Sequence, residues 1–159
     1  MTHSFFRTVI ITLMLSPGAF AAEPAQTGNA HDARQAIVLD SEERAVVLTE
    51  MRIFLQSVQQ VTEGISNDDM DRVATAARQS GRNAQGAMPA SLPGKLPVAF
   101  KKLGFDTHAK FDALALDAEQ LGDGGHALEQ LGQLLNNCVT CHAAFRFEVS
   151  AGEHPDAAR

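Results

Sequence analysis

The sequence predicts an all-α protein built as an antiparallel four-helix bundle, and three observations carry that prediction. Apolar residues recur at three- and four-residue intervals in several separate stretches, the spacing of one helix face. Clusters of glycine, proline, asparagine and aspartate separate those stretches. Alternating β-branched runs are missing, and no Asn-Gly or Asp-Gly turn joins two of them. At 159 residues the chain is the length of one domain, and four amphipathic helices in such a chain imply a bundle.

The chain opens MTHSFFRTVIITLMLSPGAFA, which reads as a secretory signal peptide over residues 1–21. Arg7 supplies the basic end, Val9 to Leu15 the apolar centre and Ala19-Phe20-Ala21 a small-x-small cut site. The apolar run is too short to stay as a membrane anchor, and no cysteine follows it that could be lipidated. Residues 22–39 mix small, polar and apolar types and read as a flexible N-terminal arm, with His31 solvated on it. Residues 40–159 then form the bundle domain.

Within that domain the first helix starts near Asp40 or Ser41. Asp40 with Glu43 three residues on resembles a capping box, and its acidic side chains face the positive helix end. Val47, Met51, Phe54, Leu55, Val58 and Val61 make one apolar stripe, and Gly64 is the expected stop. A second helix, from Met70 to about Gly86, offers the small-residue stripe Val73, Ala74, Ala77 and Ala84. The segment GAMPASLPGKLP connects helices, with a short helical turn expected over 98–103 before Gly104. The third helix is expected from Asp106 or Thr107 to Leu121, carrying Phe111, Leu114 and Leu116, and Gly122-Asp123-Gly124-Gly125 ends it. The fourth carries Leu128, Leu131, Leu135, Cys138, His142 and Phe145 at steps of 3, 4, 3, 4 and 3.

The formal net charge is −6 at pH 7, and loss of Arg7 with the signal segment makes it −7. An acidic surface disfavours nucleic acid and anionic membranes as partners. No Ser/His/Asp or paired-carboxylate constellation suggests an enzyme.

One stretch carries specific chemistry: Cys138-Val139-Thr140-Cys141-His142. Cys-x-x-Cys-His is the attachment signature of a c-type haem. Two thiols add across the two porphyrin vinyl groups, and the adjacent imidazole coordinates iron from the proximal side. A redox dithiol would sit in a βαβ pattern, which is absent here. A structural zinc site needs four Cys or His ligands, and only His126 and His154 could complete one, at unusual spacing. An exported lone cysteine pair could also form a disulfide, but the histidine directly after the second cysteine favours haem. The motif falls in register with the apolar face of the fourth helix, which places one covalently bound haem c inside the bundle, beside the C-terminal helix.

An exported four-helix chain with this motif on its last helix resembles cytochrome c-prime and its low-spin class II relatives over residues 40–147. The match includes CVTCHAAFR, since members often end Cys-x-x-Cys-His-x-x-(Tyr/Phe)-Arg. The resemblance implies covalent attachment at Cys138 and Cys141, iron ligation by His142, and Arg146 as the basic residue one turn after it. Family members carry an arginine in the first helix and, four residues on, an apolar residue that blocks the distal iron face. Arg44 and Leu48 fit that spacing, with Met51 one turn further on. In low-spin relatives a methionine from this helix binds iron instead. Met88, before Pro89, and His108 are the other candidate sixth ligands, and the alternative to all three is a five-coordinate iron under Leu48. The chain departs from family sequences in its proline-rich middle loop and its lack of tryptophan.

The expected function is therefore a periplasmic one-electron carrier with His142 and Met51 as axial ligands and redox proteins as partners. The alternative is a five-coordinate protein that binds nitric oxide or carbon monoxide beneath Leu48. Dimerisation through the first two helices occurs in the family.

Overall fold

The structure is a computed structural model and describes residues 32–150 except 85 and 87. The expected signal segment, positions 22–31 of the arm, and His154 lie outside the described residues. The order of elements is β1 (Gln35–Leu39), α1 (Ser41–Ser66), α2 (Met70–Arg78), a 3-10 turn (Arg82–Ala84), α3 (Leu92–Lys95), α4 (Val98–Leu121), α5 (Gly124–Ala144) and β2 (Phe145–Val149). The described residues are thus mostly helical, with one small two-stranded sheet.

Helix α1 begins as its sequence predicts. The Asp40 carboxylate accepts from the Glu43 backbone N–H at 2.8 Å, and Glu43 Oε2 accepts from the Asp40 N–H at 3.1 Å. Two N–H groups that the first turn leaves unpaired are thereby satisfied. Glu43 is itself buried, and Lys95 and Ser91 reach it at 2.5 Å and 2.6 Å. Hydrogen bonds from these two groups hold its carboxyl down to about 2.

The helix does not stop at Gly64 but runs to Ser66, where Asn67 Nδ2 donates back to the Glu63 carbonyl at 2.7 Å. Gly64 serves packing instead. A Cβ there would lie 2.8 Å from Val73 Cγ2 and 3.0 Å from the Asp69 carbonyl, so α2 can fold back closely only over a glycine.

Helix α2 is shorter than expected and ends at Arg78, because the chain turns at Ser80, whose hydroxyl donates to Ser57 in the core at 2.8 Å. Its small residues Ala74, Ala76 and Ala77 are buried with Val73. Helix α4 is longer than expected, starting at Val98 rather than Asp106 and running through Gly104. An interior glycine costs about 1 kcal/mol. Continuing the helix also buries Phe100, a gain of about 1.5–3 kcal/mol, so continuity wins. Gly122 ends α4 in the left-handed conformation at φ 62°. Asp123 then caps α5 by accepting from the N–H groups of Gly125 and His126.

Two expectations fail at the ends of the domain. Residues 35–39, read as part of a flexible arm, are strand β1, with Ile37 and Leu39 buried and Val38 outward. Phe145 and Arg146, read as a continuation of the last helix, begin strand β2. The two strands pair in parallel, Gln35 opposite Phe145 through Leu39 opposite Val149. Strands are therefore present in a chain whose sequence predicts none.

Helix α1 packs on α2, α2 on α4, α4 on α5, and α5 more lightly on α1. The core has two parts. One gathers Phe54, Val61, Val73, Phe111, Leu114, Leu131 and Leu134 between the helices. The other gathers Ile37, Leu39, Val47, Leu92, Leu96, Phe100 and Phe145 beneath the sheet. Met51 packs against both, Cys138 against the first and Cys141 against the second.

Candidate functional site

At that seam lies a cavity of about 450 Å³. Helix α5 lines it with Leu135, Cys138, Cys141 and His142, and α1 with Leu48, Met51, Phe54, Leu55 and Val58. Helix α4 closes it with Phe100, Leu103 and Gly104. Its size falls within the roughly 300–1,000 Å³ typical of ligand and cofactor sites, and its mainly apolar wall matches them too. A second cavity of about 120 Å³ falls well below that range.

The two walls follow from helix geometry. On α5, Leu131 and Leu134 are buried in the core, while Leu135, Cys138 and His142 share the neighbouring face at steps of three and four. Three of the six residues in the stripe read from the sequence on this helix thus line the cavity, and Leu128 on it is 56% exposed. On α1, Phe54 and Val61 point into the core, and Leu48, Met51, Leu55 and Val58 turn toward the cavity. Leu55 is 70% exposed and stands on the cavity wall.

Cys138 and Cys141 are free thiols, each half-buried. Burial pushes both above the ordinary cysteine value, with the neighbouring Cys138 adding to the effect at Cys141. They are therefore neutral thiols, unlike the low-pKa nucleophile of a dithiol oxidoreductase. The His142 ring is exposed and makes no hydrogen bond among the described residues. No group of three or more His, Cys, Asp or Glu side chains among the described residues could hold a metal ion. His126, the candidate third zinc ligand, instead faces the Asp117 carboxylate at 3.1 Å.

The other sequence-predicted residues divide clearly. Leu48 and Met51 both reach the cavity, so both registers on α1 are placed on its wall. Met88 lines the smaller cavity and is not on this one. His108 is neither at the start of its helix nor beside the motif. It is buried in the middle of α4, where Nδ1 donates to the Ser80 carbonyl at 2.8 Å and Nε2 lies 3.3 Å from Glu50. Arg146 is not one helical turn beyond His142, because β2 carries it. Its Nε donates to the Arg34 carbonyl at 3.3 Å, and its guanidinium pairs with Glu148. Arg34 donates in turn to the carbonyl of His142 at 3.3 Å, a contact no local pattern announces.

Burial opposes the charged form of His108, but the Glu50 carboxylate and Ser80 carbonyl outweigh it, so its pKa is raised. A raised value in the fold means the stabilisation is complete below the unfolded value of about 6.5 and is lost as pH rises through the folded one. The urea midpoint is accordingly expected to fall over that interval, and to be flatter in His108→Gln. An equally steep profile in the variant would exclude His108 as its source.

No helix among the described residues is long and apolar enough to cross a membrane. No protein-family model, curated protein or solved structure matches this chain.

Proposed function

We propose that the chain is an exported mono-haem c-type cytochrome of the four-helix class, a one-electron carrier that acts between redox proteins in the periplasm. One observation carries the reading: both thiols and the imidazole of the motif line a single apolar cavity whose facing wall includes Met51. The residues fit a haem. Two thiols and an adjacent imidazole on one helix match the covalent donor set, and the apolar walls suit a flat macrocycle. The packing of α1 on α2, α2 on α4 and α4 on α5 supports reading the helices as a four-helix bundle, a scaffold that holds cofactors between facing helices.

Once bound, the haem supplies a one-electron change at its iron. The protein does the rest. Cys138 and Cys141 tether through thioether bonds from two adjacent turns of α5. His142 offers its ring nitrogen from the same helix. Met51 offers a soft thioether from α1, which favours the ferrous state and raises the potential. Phe54, Val58, Phe100 and Leu103 give the cavity an apolar wall, which suits the porphyrin face and limits water around the iron.

Met51→Ala in the loaded protein is expected to turn a low-spin optical spectrum high-spin. An unchanged spectrum would remove Met51 as a ligand. A second reading has its own observation, because Leu48 is partly buried on the same wall one turn before Met51. With Leu48 over an open iron, the protein would bind nitric oxide or carbon monoxide rather than carry electrons.

A further inference from the structure

Besides the motif, the polar residues on the cavity wall are Glu50, Arg52, Thr107 and Asn137. Three of these four are committed within the protein. Glu50 faces His108 at 3.3 Å. Thr107 donates to the Leu103 carbonyl at 2.7 Å and accepts from Asn137 at 3.2 Å. Asn137 also donates to Asp106 at 2.8 Å and accepts from Lys110 at 3.3 Å.

Arg52 differs. Its guanidinium has no hydrogen bond or ion pair among the described residues, and its side chain is exposed on the cavity wall. Leu48, Arg52 and Leu55 lie at steps of four and three, so one face of α1 presents an arginine between two leucines. A free guanidinium set into an apolar wall suits a ligand that is apolar over most of its area and anionic at one edge. Guanidinium groups recognise carboxylates bidentately, with a strength a point charge does not match. Arg44, the arginine expected from the family spacing, is exposed and is not part of the cavity lining.

Resting on the haem reading above, we propose that Arg52 pairs with the cofactor's propionate carboxylates and so fixes which edge of the macrocycle meets α1. The pairing places a positive charge against two negative ones in a protein that is already acidic. It keeps the carboxylates ionised and offsets their effect on the iron. Without it, the uncompensated negative charge stabilises the ferric state, and the carboxylates take up protons more readily on reduction.

The test is a spectroelectrochemical titration of the full chain, covalently loaded by co-expression with cytochrome maturation, over a range of pH. Arg52→Gln is expected to lower the midpoint potential and to add a pH-dependent slope that the parent lacks. Arg52→Lys should restore part of both, and Arg44→Gln should match the parent. An Arg52→Gln protein with its colour intact and the parent's midpoint and pH profile would overturn the assignment of Arg52 alone. A parent protein that carries no covalent haem would overturn the haem reading and this inference together. Colour is scored before any titration, so the two failures are read apart.

Discussion

Replacing Cys138 and Cys141 together by alanine is expected to abolish covalent haem attachment, leaving no colour on the denatured polypeptide. Cys141→Ala alone should leave one thioether and weaker retention. The expectation follows from where the thiols sit. They are on successive turns of α5, and both line the apolar cavity. Both are neutral thiols because burial disfavours the thiolate. No other cysteine exists in the chain to substitute for them. The fold should survive the change, since each side chain is only half-buried and alanine suits a helix interior. A haem stain that persists after denaturation of the double variant would count against the motif assignment.

Phe111→Ala is expected to cost about 3–5 kcal/mol of stability, the range for a buried phenylalanine replaced by alanine. Phe111 is fully buried and stacks on Phe54 with ring centroids 5.6 Å apart. Phe54 in turn meets the His108 ring at 5.0 Å and forms part of the cavity wall. The cavity left by the lost ring therefore loosens α1 against α4 just where the site is walled. Phe111→Leu, which keeps most of the volume, should cost much less. The check is a urea titration in which the midpoint falls while the slope stays constant. A loss under 1 kcal/mol would mean the surrounding helices collapse into the gap.

The helical part of the fold was legible because its signals are local. Asp40 and Glu43 are three residues apart, and their capping box forms as read. Val47, Phe54 and Val61 recur at seven-residue intervals and are all buried. The strands were not legible in the same way. Phe-Arg-Phe-Glu-Val over 145–149 does alternate apolar and polar residues, a strand signal. But Phe145 also continues the helical spacing from His142, and the family pattern carried the helix past it. Its partner, residues 35–39, is a five-residue segment joined to it across the whole helical domain. A parallel pair of that separation leaves no turn motif to find.

The site divides along the same line. Five contiguous residues announce the motif, and Leu48 and Met51 reach the cavity because helical spacing alone places them on one wall. Arg52 was invisible. A charged residue inside an amphipathic helix reads as solvated until the facing helices show that this arc borders a cavity. Arg146 was misplaced for the opposite reason: its role was inferred by extending α5, and the backbone leaves the helix at Phe145.

The most direct measurement of the central claim is the optical spectrum of the loaded protein, ferric and ferrous, with and without carbon monoxide. A covalent, low-spin haem whose ferrous spectrum ignores the gas, with the weak far-red ferric band of methionine ligation, is the predicted result. A high-spin spectrum that shifts on adding the gas would contradict closure by Met51 and favour an open iron beneath Leu48. A colourless protein would contradict the haem site itself.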